Sequence, residues 1–250
     1  MMPEWKIGCA GFHMKLSSYF NRYNVVEVQE TFFDPPAART LKRWRRQAPE
    51  NFSFVIRAWQ LITHPPEYPG YRKIHRPREQ AKAGGFGSFQ PGEQVQWAWN
   101  IIQETAALLD AVAILFQTPA TFTPTQRNRE NLVRFFSALD RGMRHLVWDP
   151  EGIWEEKEVE KICDDLGLIP AQDPVMSKID SKQNFYFRMK TKTRGRGEYD
   201  SDDFYTILDR VEQDENRGEG EGFVIWNTAK ADRDAKQFQS WIRKSCNEQD

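Results

Sequence analysis

The sequence predicts a single-domain (β/α)8 barrel of the TIM type, and three observations lead there. The chain has 250 residues, a usual size for one such barrel. Eight short runs rich in β-branched and aromatic residues alternate with amphipathic segments, the pattern of βαβ units around a parallel sheet. The main competing architecture, an open doubly wound sheet, favours a glycine-rich phosphate turn after its first strand. Here the first turn reads Gly8-Cys9-Ala10-Gly11-Phe12 and lacks the third glycine of that pattern. Neither an internal repeat nor an inter-domain linker is visible.

The strands are expected at 5–9, 25–29, 52–57, 112–116, 146–148, 168–171, 185–188 and 223–226. Asp34 followed by Pro35 reads as a helix start, with Leu41, Trp44 and Ala48 repeating at helical spacing. In the segment 94–109, Trp97, Ile101, Thr105 and Leu108 form one stripe. Thr123-Pro124 opens a helix that turns Leu132, Phe135, Phe136 and Leu139 inward. Ser201 caps another, with Phe204, Ile207, Leu208 and Val211 inward. Asp232 opens the last, burying Ala235, Phe238 and Trp241. Residues 174–179, between the sixth and seventh strands, are too few for a normal helix, so a missing or single-turn helix is expected there.

Residues 62–93 form an unusually long connection, rich in Pro, Gly, Tyr and basic side chains. A connection of that length in a compact domain is commonly functional. It follows the third strand and therefore belongs to the C-terminal face of the barrel, where active sites of this fold lie.

Composition excludes several classes. With 39% hydrophobic and 28% charged residues the chain is an ordinary globular protein. No apolar run approaches the roughly 20 residues that span a bilayer. The first residues carry no secretory pattern, and the three cysteines (Cys9, Cys163, Cys246) show no CxxC spacing. We read them as free thiols of a cytoplasmic protein. The net charge of −1 conceals segregation: residues 72–82 hold five basic side chains and one acid, and residues 182–196 hold six and none. Both runs follow odd-numbered strands and would overhang one mouth, where they attract anions. Tyr68, Tyr71 and Phe86 interleave with the first run, a combination suited to single-stranded nucleic acid or a nucleotide.

Several motifs, in order, resemble the YecE-like family, domain-of-unknown-function family 72. Ile7-Gly8-Cys9-Ala10-Gly11-Phe12 resembles its opening IGTSGW, and residues 26–33 (VEVQETFF) resemble VEINSTFY. Pro49-Glu50-Asn51-Phe52 with Ile62-Thr63-His64, Ile114-Leu115-Phe116-Gln117-Thr118-Pro119, and Asn227-Thr228 with Ala235 are similar to later family motifs. The resemblance covers nearly the whole chain. It implies a TIM-type barrel and no established reaction. Many members carry E-F-R-H-P-S-W where this chain has Trp148-Asp149-Pro150-Glu151-Gly152-Ile153-Trp154, and R-x-H-G where it has Arg188-Met189-Lys190-Thr191. Gln29 stands in place of an Asn. Shared chemistry at Glu151, Gly152, Met189 and Lys190 would be altered in this copy.

Candidate site residues follow from position. Glu27 and Gln29 share strand parity, and a carboxylate inside a barrel needs a partner; Arg57, ending the next strand, is the expected one. Glu27, His64 and Asp149 are the candidates for proton transfer, with Arg57 and Arg188 as anion anchors and Gln117 and Asn227 as orienting hydrogen bonders. His13 is a weaker candidate, and His145 falls at the wrong end of its strand. Each also has a structural reading, as an ion pair, a loop histidine or a rim side chain. Four histidines at no metal-ligand spacing predict no metal site, and no GxSxG elbow or Walker loop points to a cofactor or nucleophile. Three functions remain open. The first is an enzyme-like barrel for a phosphate-bearing small molecule or single-stranded nucleic acid. The second is a carbohydrate-active hydrolase pairing Glu27 with Asp149 or Asp173 beside Trp59, Trp148 and Trp226. The third is a non-catalytic binding or scaffold barrel. The oligomeric state is not legible.

Overall fold

In the computed structural model, which describes residues 5–74, 85–140, 142–179, 184–192, 198–212 and 220–247, eight parallel strands close into a barrel in sequential order. The strands are β1 (Trp5–Ala10), β2 (Val25–Val28), β3 (Ser53–Arg57), β4 (Ala111–Thr118), β5 (His145–Pro150), β6 (Ile169–Gln172), β7 (Phe185–Lys190) and β8 (Gly222–Asn227). The predicted strands are all present, with ends shifted by one or two residues. The helices are α1 (Leu16–Phe20), α2 (Glu30–Phe33), α3 (Ala38–Gln47), α4 (Gln60–Thr63), α5 (Glu93–Leu109), α6 (Gln126–Ser137), α7 (Glu156–Leu166), α8 (Ser201–Glu212) and α9 (Ala231–Asn247). Among the described residues no helix lies between β6 and β7, where residues 174–176 make only a turn. No described helix is long and apolar enough to cross a membrane.

The chain separates into two compact units: one of Met1–Glu27 with Ala171–Asp250, the other of Val28–Pro170. In the first, β1 pairs with β8 from Trp5↔Gly222 to Cys9↔Trp226, and with β2 from Gly8↔Val25 to Ala10↔Glu27. Gly8 is required at that contact. A Cβ built there would lie 1.9 Å from the carbonyl oxygen of Val25, so no side chain fits. Trp226 of β8 packs ring against ring with Phe204 and Phe238 of the covering helices. In the second unit β3, β4 and β5 pair in order, through Arg57↔Leu115 and Gln117↔Asp149. Its core gathers Phe89, Phe116, Phe135 and Phe136 into one aromatic cluster.

Helix starts differ from the sequence reading for local reasons. Asp34 does not open a helix: its extended backbone ends α2, and α3 begins at Ala38. Thr125, not Thr123, caps α6 by accepting from the Asn128 amide. Asp200 rather than Ser201 caps α8. Its carboxylate accepts from the amides of Asp202 and Asp203, and Asp203 reaches back to the Asp200 amide at 2.8 Å, a reciprocal capping box. The buried stripe of α5 is Val95, Ala98, Trp99, Ile102, Thr105, Ala106 and Leu109, while Trp97 is 36% exposed. The polar residues Glu93, Gln96, Asn100, Gln103 and Glu104 share one side of that helix, and the buried face lies opposite them rather than centred on Trp97. The side chain of Val211 lies outside the described residues, as do those of residues 245–250, Cys246 among them; Cys9 and Cys163 are buried.

The long connection after β3 is not structureless at its ends. It opens with α4 and a 3-10 turn at Pro69–Lys73. It returns by laying Gly87 and Phe89 against α4 through bonds from their amides to Leu61 and Ile62 carbonyls, at 2.7 and 2.9 Å. Gly87, at φ +81°, has no room for a Cβ, which would meet the His64 carbonyl at 1.8 Å. Phe86 is buried, Tyr71 donates to the His64 carbonyl, and Tyr68 packs on the His64 ring. Phe86 therefore belongs to the core, while Tyr68 and Tyr71 stand half-buried around His64. His75, Arg76, Arg78 and Lys82 of the first basic run, and Lys182, Arg194 and Arg196 of the second, lie outside the described residues.

Candidate functional site

In the first unit the strand ends assemble a buried polar cluster. Strand parity turns Glu27 of β2 and Tyr186 and Arg188 of β7 toward one another. The Arg188 Nε and Nη2 donate to the two Glu27 oxygens, each at 2.9 Å, and the Tyr186 hydroxyl donates to Oε2 at 2.7 Å. With its oxygen turned to the guanidinium, the Asn227 amide accepts from both terminal nitrogens of Arg188 at 3.2 Å. Glu27 is 0% and Arg188 1% exposed. A buried charge survives only when paired and hydrogen-bonded, and each satisfies the other. Arg188 supplies a fork to Glu27, because the planar guanidinium matches a carboxylate; Arg57, the partner expected from the sequence, belongs to the second unit. Tyr186 was missed, although its spacing of two from Arg188 places both on one strand face.

The same unit holds Asp173 after β6. It accepts from the Tyr199 hydroxyl at 2.6 Å and from the amides of Val175 and Lys190. Burial raises its pKa, and those hydrogen bonds offset part of the rise. Lys192, from the second basic run, pairs with Asp203, and His13 bonds the Ala10 carbonyl at 3.0 Å.

In the second unit Arg57, at the end of β3, organises a different cluster. Its Nη1 donates to Gln29 Oε1 at 2.7 Å and its Nη2 to Gln117 Oε1. The guanidinium stands 4.0 Å from the centre of the Phe32 ring, a cation–π arrangement. The Thr31 hydroxyl donates to the Arg57 carbonyl at 2.8 Å. Gln117 passes its amide hydrogens on to Glu151 at 2.5 Å. Asp149, 1% exposed, sits beside Gln117 in the strand register. Thr31 and Glu151 were not singled out as site residues; only the pairing across strands brings them here. His64 is buried nearby, its Nδ1 2.8 Å from the Thr63 hydroxyl and its ring against Phe32. Burial, reinforced by the Arg57 charge, pushes its pKa down to about 3, so at neutral pH it is uncharged.

The tryptophans expected as a sugar platform are not one. Trp59, Trp148 and Trp226 are at most 1% exposed. Trp148 packs on Trp154, Trp226 on Tyr199 and Phe204, and Trp59 donates to the Phe33 carbonyl. Among the described residues no group of three or more His, Cys, Asp or Glu is arranged to hold a metal ion.

The family described as "Protein of unknown function DUF72" matches residues 4–249. The chain belongs to that family. UPF0759 protein YunF of Bacillus subtilis (strain 168) is 33% identical over 49 residues, a match spanning 20% of this chain and 17% of that protein. A DUF72 family protein from Enterococcus faecalis V583 superposes with a TM-score of 0.69 at 14% identity, over 96% of this chain and 98% of that one. One from Thermotoga maritima MSB8 gives 0.67 at 16%, over 96% and 99%. Endonuclease IV from Thermus thermophilus gives 0.53 at 11%, over 97% and 100%. At these identities the likeness is one of fold. In this DUF72 chain the Trp154 Nε1 donates to the Phe122 carbonyl at 2.6 Å.

Proposed function

We propose that this DUF72 protein binds a phosphate-bearing ligand at the strand ends of its second unit, with Arg57 as the anchor. The observation that carries the reading is the mounting of the Arg57 guanidinium. Two amide oxygens and an aromatic face hold it, and only 8% of the residue is exposed. The two amide oxygens orient the fork. A fixed guanidinium grips a phosphate with two parallel bonds at little entropic cost. Gln117 and Glu151 would orient the ligand, and Asp149, next to Gln117 in the register, is the group placed to exchange a proton with it. His64 serves as a neutral wall of the site. Glu27, Arg188 and Asn227 serve the fold in this reading, since their charges and donors answer one another.

Titration with inorganic phosphate, nucleotides and a short single-stranded oligonucleotide at low ionic strength tests the proposal. One of these binds, and the binding weakens as salt rises, because phosphate contacts release counterions. Arg57→Ala weakens it by roughly ten- to a hundredfold, the equivalent of about 1.5–3 kcal/mol for charge-assisted bonds. Arg57→Lys restores little, lacking the fork. Arg43→Ala, exposed on α3, leaves affinity unchanged. No salt-dependent binding of any of the probes to the unmodified protein would overturn the reading in favour of a non-binding scaffold.

A further inference from the structure

The outer face of α3, within the second unit, carries a charge that neither the fold nor the ligand site uses. The helix reads ARTLKRWRRQ, with five basic residues and no acid. Leu41 and Trp44, 1% and 8% exposed, seat it on the barrel. Arg45 is engaged locally: it donates to the Phe52 and Pro49 carbonyls and lies over the Phe54 ring. The other four, Arg39, Lys42, Arg43 and Arg46, are exposed. Among the described residues none of these four makes a hydrogen bond or an ion pair. Their spacing of i, i+3, i+4 and i+7 puts them all on one side of the helix. At the rise of an α-helix the patch is about 10 Å long.

The arrangement works against the helix that bears it. Arg39–Lys42, Arg39–Arg43, Lys42–Arg46 and Arg43–Arg46 each set like charges one turn apart, which weakens a helix. Arg39 also stands in the first turn, at the positive end of the helix dipole, where no acid offsets it. Cations elsewhere on the surface have an acid at hand: Lys161 pairs with Asp165, Arg129 with Glu158 and Arg233 with Glu198. The stripe on α3 has no such partner among the described residues, so its charge faces outward uncompensated.

The chemistry of this face selects what it can meet. Apart from the four cations, the exposed residues of the helix are Ala38 and Gln47, and no large apolar side chain is exposed on it. A folded protein partner would call for an apolar or aromatic anchor, and a nucleic-acid single strand for an aromatic on which bases stack. The face offers neither. It suits a dense, extended negative surface that asks only for charge. Three of the four cations are arginines, whose planar forks match phosphodiester oxygens, and phospholipid headgroups move laterally to meet them. With Leu41 and Trp44 buried in the barrel wall, α3 has no apolar face left to insert between lipids, so the contact is peripheral and electrostatic.

We propose that the outer face of α3 docks the protein reversibly on an anionic phospholipid surface, through Arg39, Lys42, Arg43 and Arg46. The inference is independent of the ligand site, since Arg57 is held at the strand ends by Gln29 and Gln117. Its test is co-sedimentation at low salt with vesicles of phosphatidylcholine containing about one quarter phosphatidylglycerol, an anionic lipid. The unmodified chain sediments with these vesicles, leaves them as salt rises, and stays in solution with pure phosphatidylcholine. Arg43→Gln weakens the binding about fivefold, the equivalent of about 1 kcal/mol for one cation near such a surface. The quadruple variant Arg39→Gln, Lys42→Gln, Arg43→Gln and Arg46→Gln abolishes it. That variant melts at or above the temperature of the parent, because the four like-charge pairs are gone, which separates loss of docking from loss of fold. Arg39→Lys with Arg43→Lys and Arg46→Lys keeps the charge and most of the binding. Arg127→Gln, at an exposed position of α6, leaves the binding nearly unchanged. A parent that stays in solution at low salt, equal binding to neutral vesicles, a quadruple variant that still sediments, or tighter binding to a duplex oligonucleotide at the same phosphate concentration would each overturn the proposal.

Discussion

Replacing Glu27 by Gln tests what holds the first unit together. The substitution keeps an oxygen for Tyr186 but removes the charge that faces Arg188. The cation is 1% exposed and donates two bonds to that carboxylate. Breaking a buried pair from one side costs about 3–5 kcal/mol, because the remaining charge is stranded without water. For a chain of this length each kcal/mol moves the melting temperature by about 2–4 °C, so the loss is roughly 6–20 °C. Arg188→Met should cost a similar amount from the other side. The double variant Glu27→Gln with Arg188→Met should cost clearly less than the sum of the singles, since neither charge is then left alone. The coupling in this cycle measures the pair itself. Tyr186→Phe, which removes only one donor to a charged acceptor, should cost about 1.5–3 kcal/mol. Urea unfolding followed by tryptophan fluorescence and far-ultraviolet circular dichroism gives each value. If Glu27→Gln lies within about 1 kcal/mol of the parent, or the singles simply add, the buried pair is not the support argued for it.

The remaining expectations concern His64 and Gly8. The folded pKa of His64, about 3, lies below the ordinary value of 6.5. The unfolded chain therefore binds a proton between those values that the folded chain refuses. Stability is present in full above about pH 6.5 and falls as pH drops toward 3, by up to about 1.4 kcal/mol per pH unit. His64→Phe should flatten that slope, and an imidazole signal that titrates near 6.5 in the folded protein and disappears in His64→Phe would refute the assignment. Gly8→Ala forces a methyl onto the Val25 carbonyl oxygen, 1.9 Å from the Cβ position. It should cost about 1–3 kcal/mol or more, read as a lowered urea midpoint, and an unchanged midpoint would mean that β1 and β2 separate easily.

The sequence by itself determined the architecture. Alternating β-branched runs and amphipathic segments are local properties, and they placed all eight strands; among the described residues no helix stands between β6 and β7, as the short spacing there led one to expect. Strand parity, also local, set Glu27 and Gln29 on one face. Helix starts were less legible because Asp, Ser, Thr and Pro crowd near them, and hydrogen bonds made by Asp200 and Thr125 decide among neighbours one or two positions apart. Only the tertiary structure decided the partners. Glu27 and Arg188 are separated by 161 residues along the chain, and sequence offers no rule for choosing between two arginines that both end barrel strands. Burial did the same for the aromatics: a tryptophan in a strand reads alike whether it meets a ligand or a helix. Here Trp148 and Trp226 meet buried rings. Periodicity is carried by backbone geometry and survives in one dimension. Charge pairing and exposure depend on what the closed barrel brings within about 3 Å, the reach of a hydrogen bond.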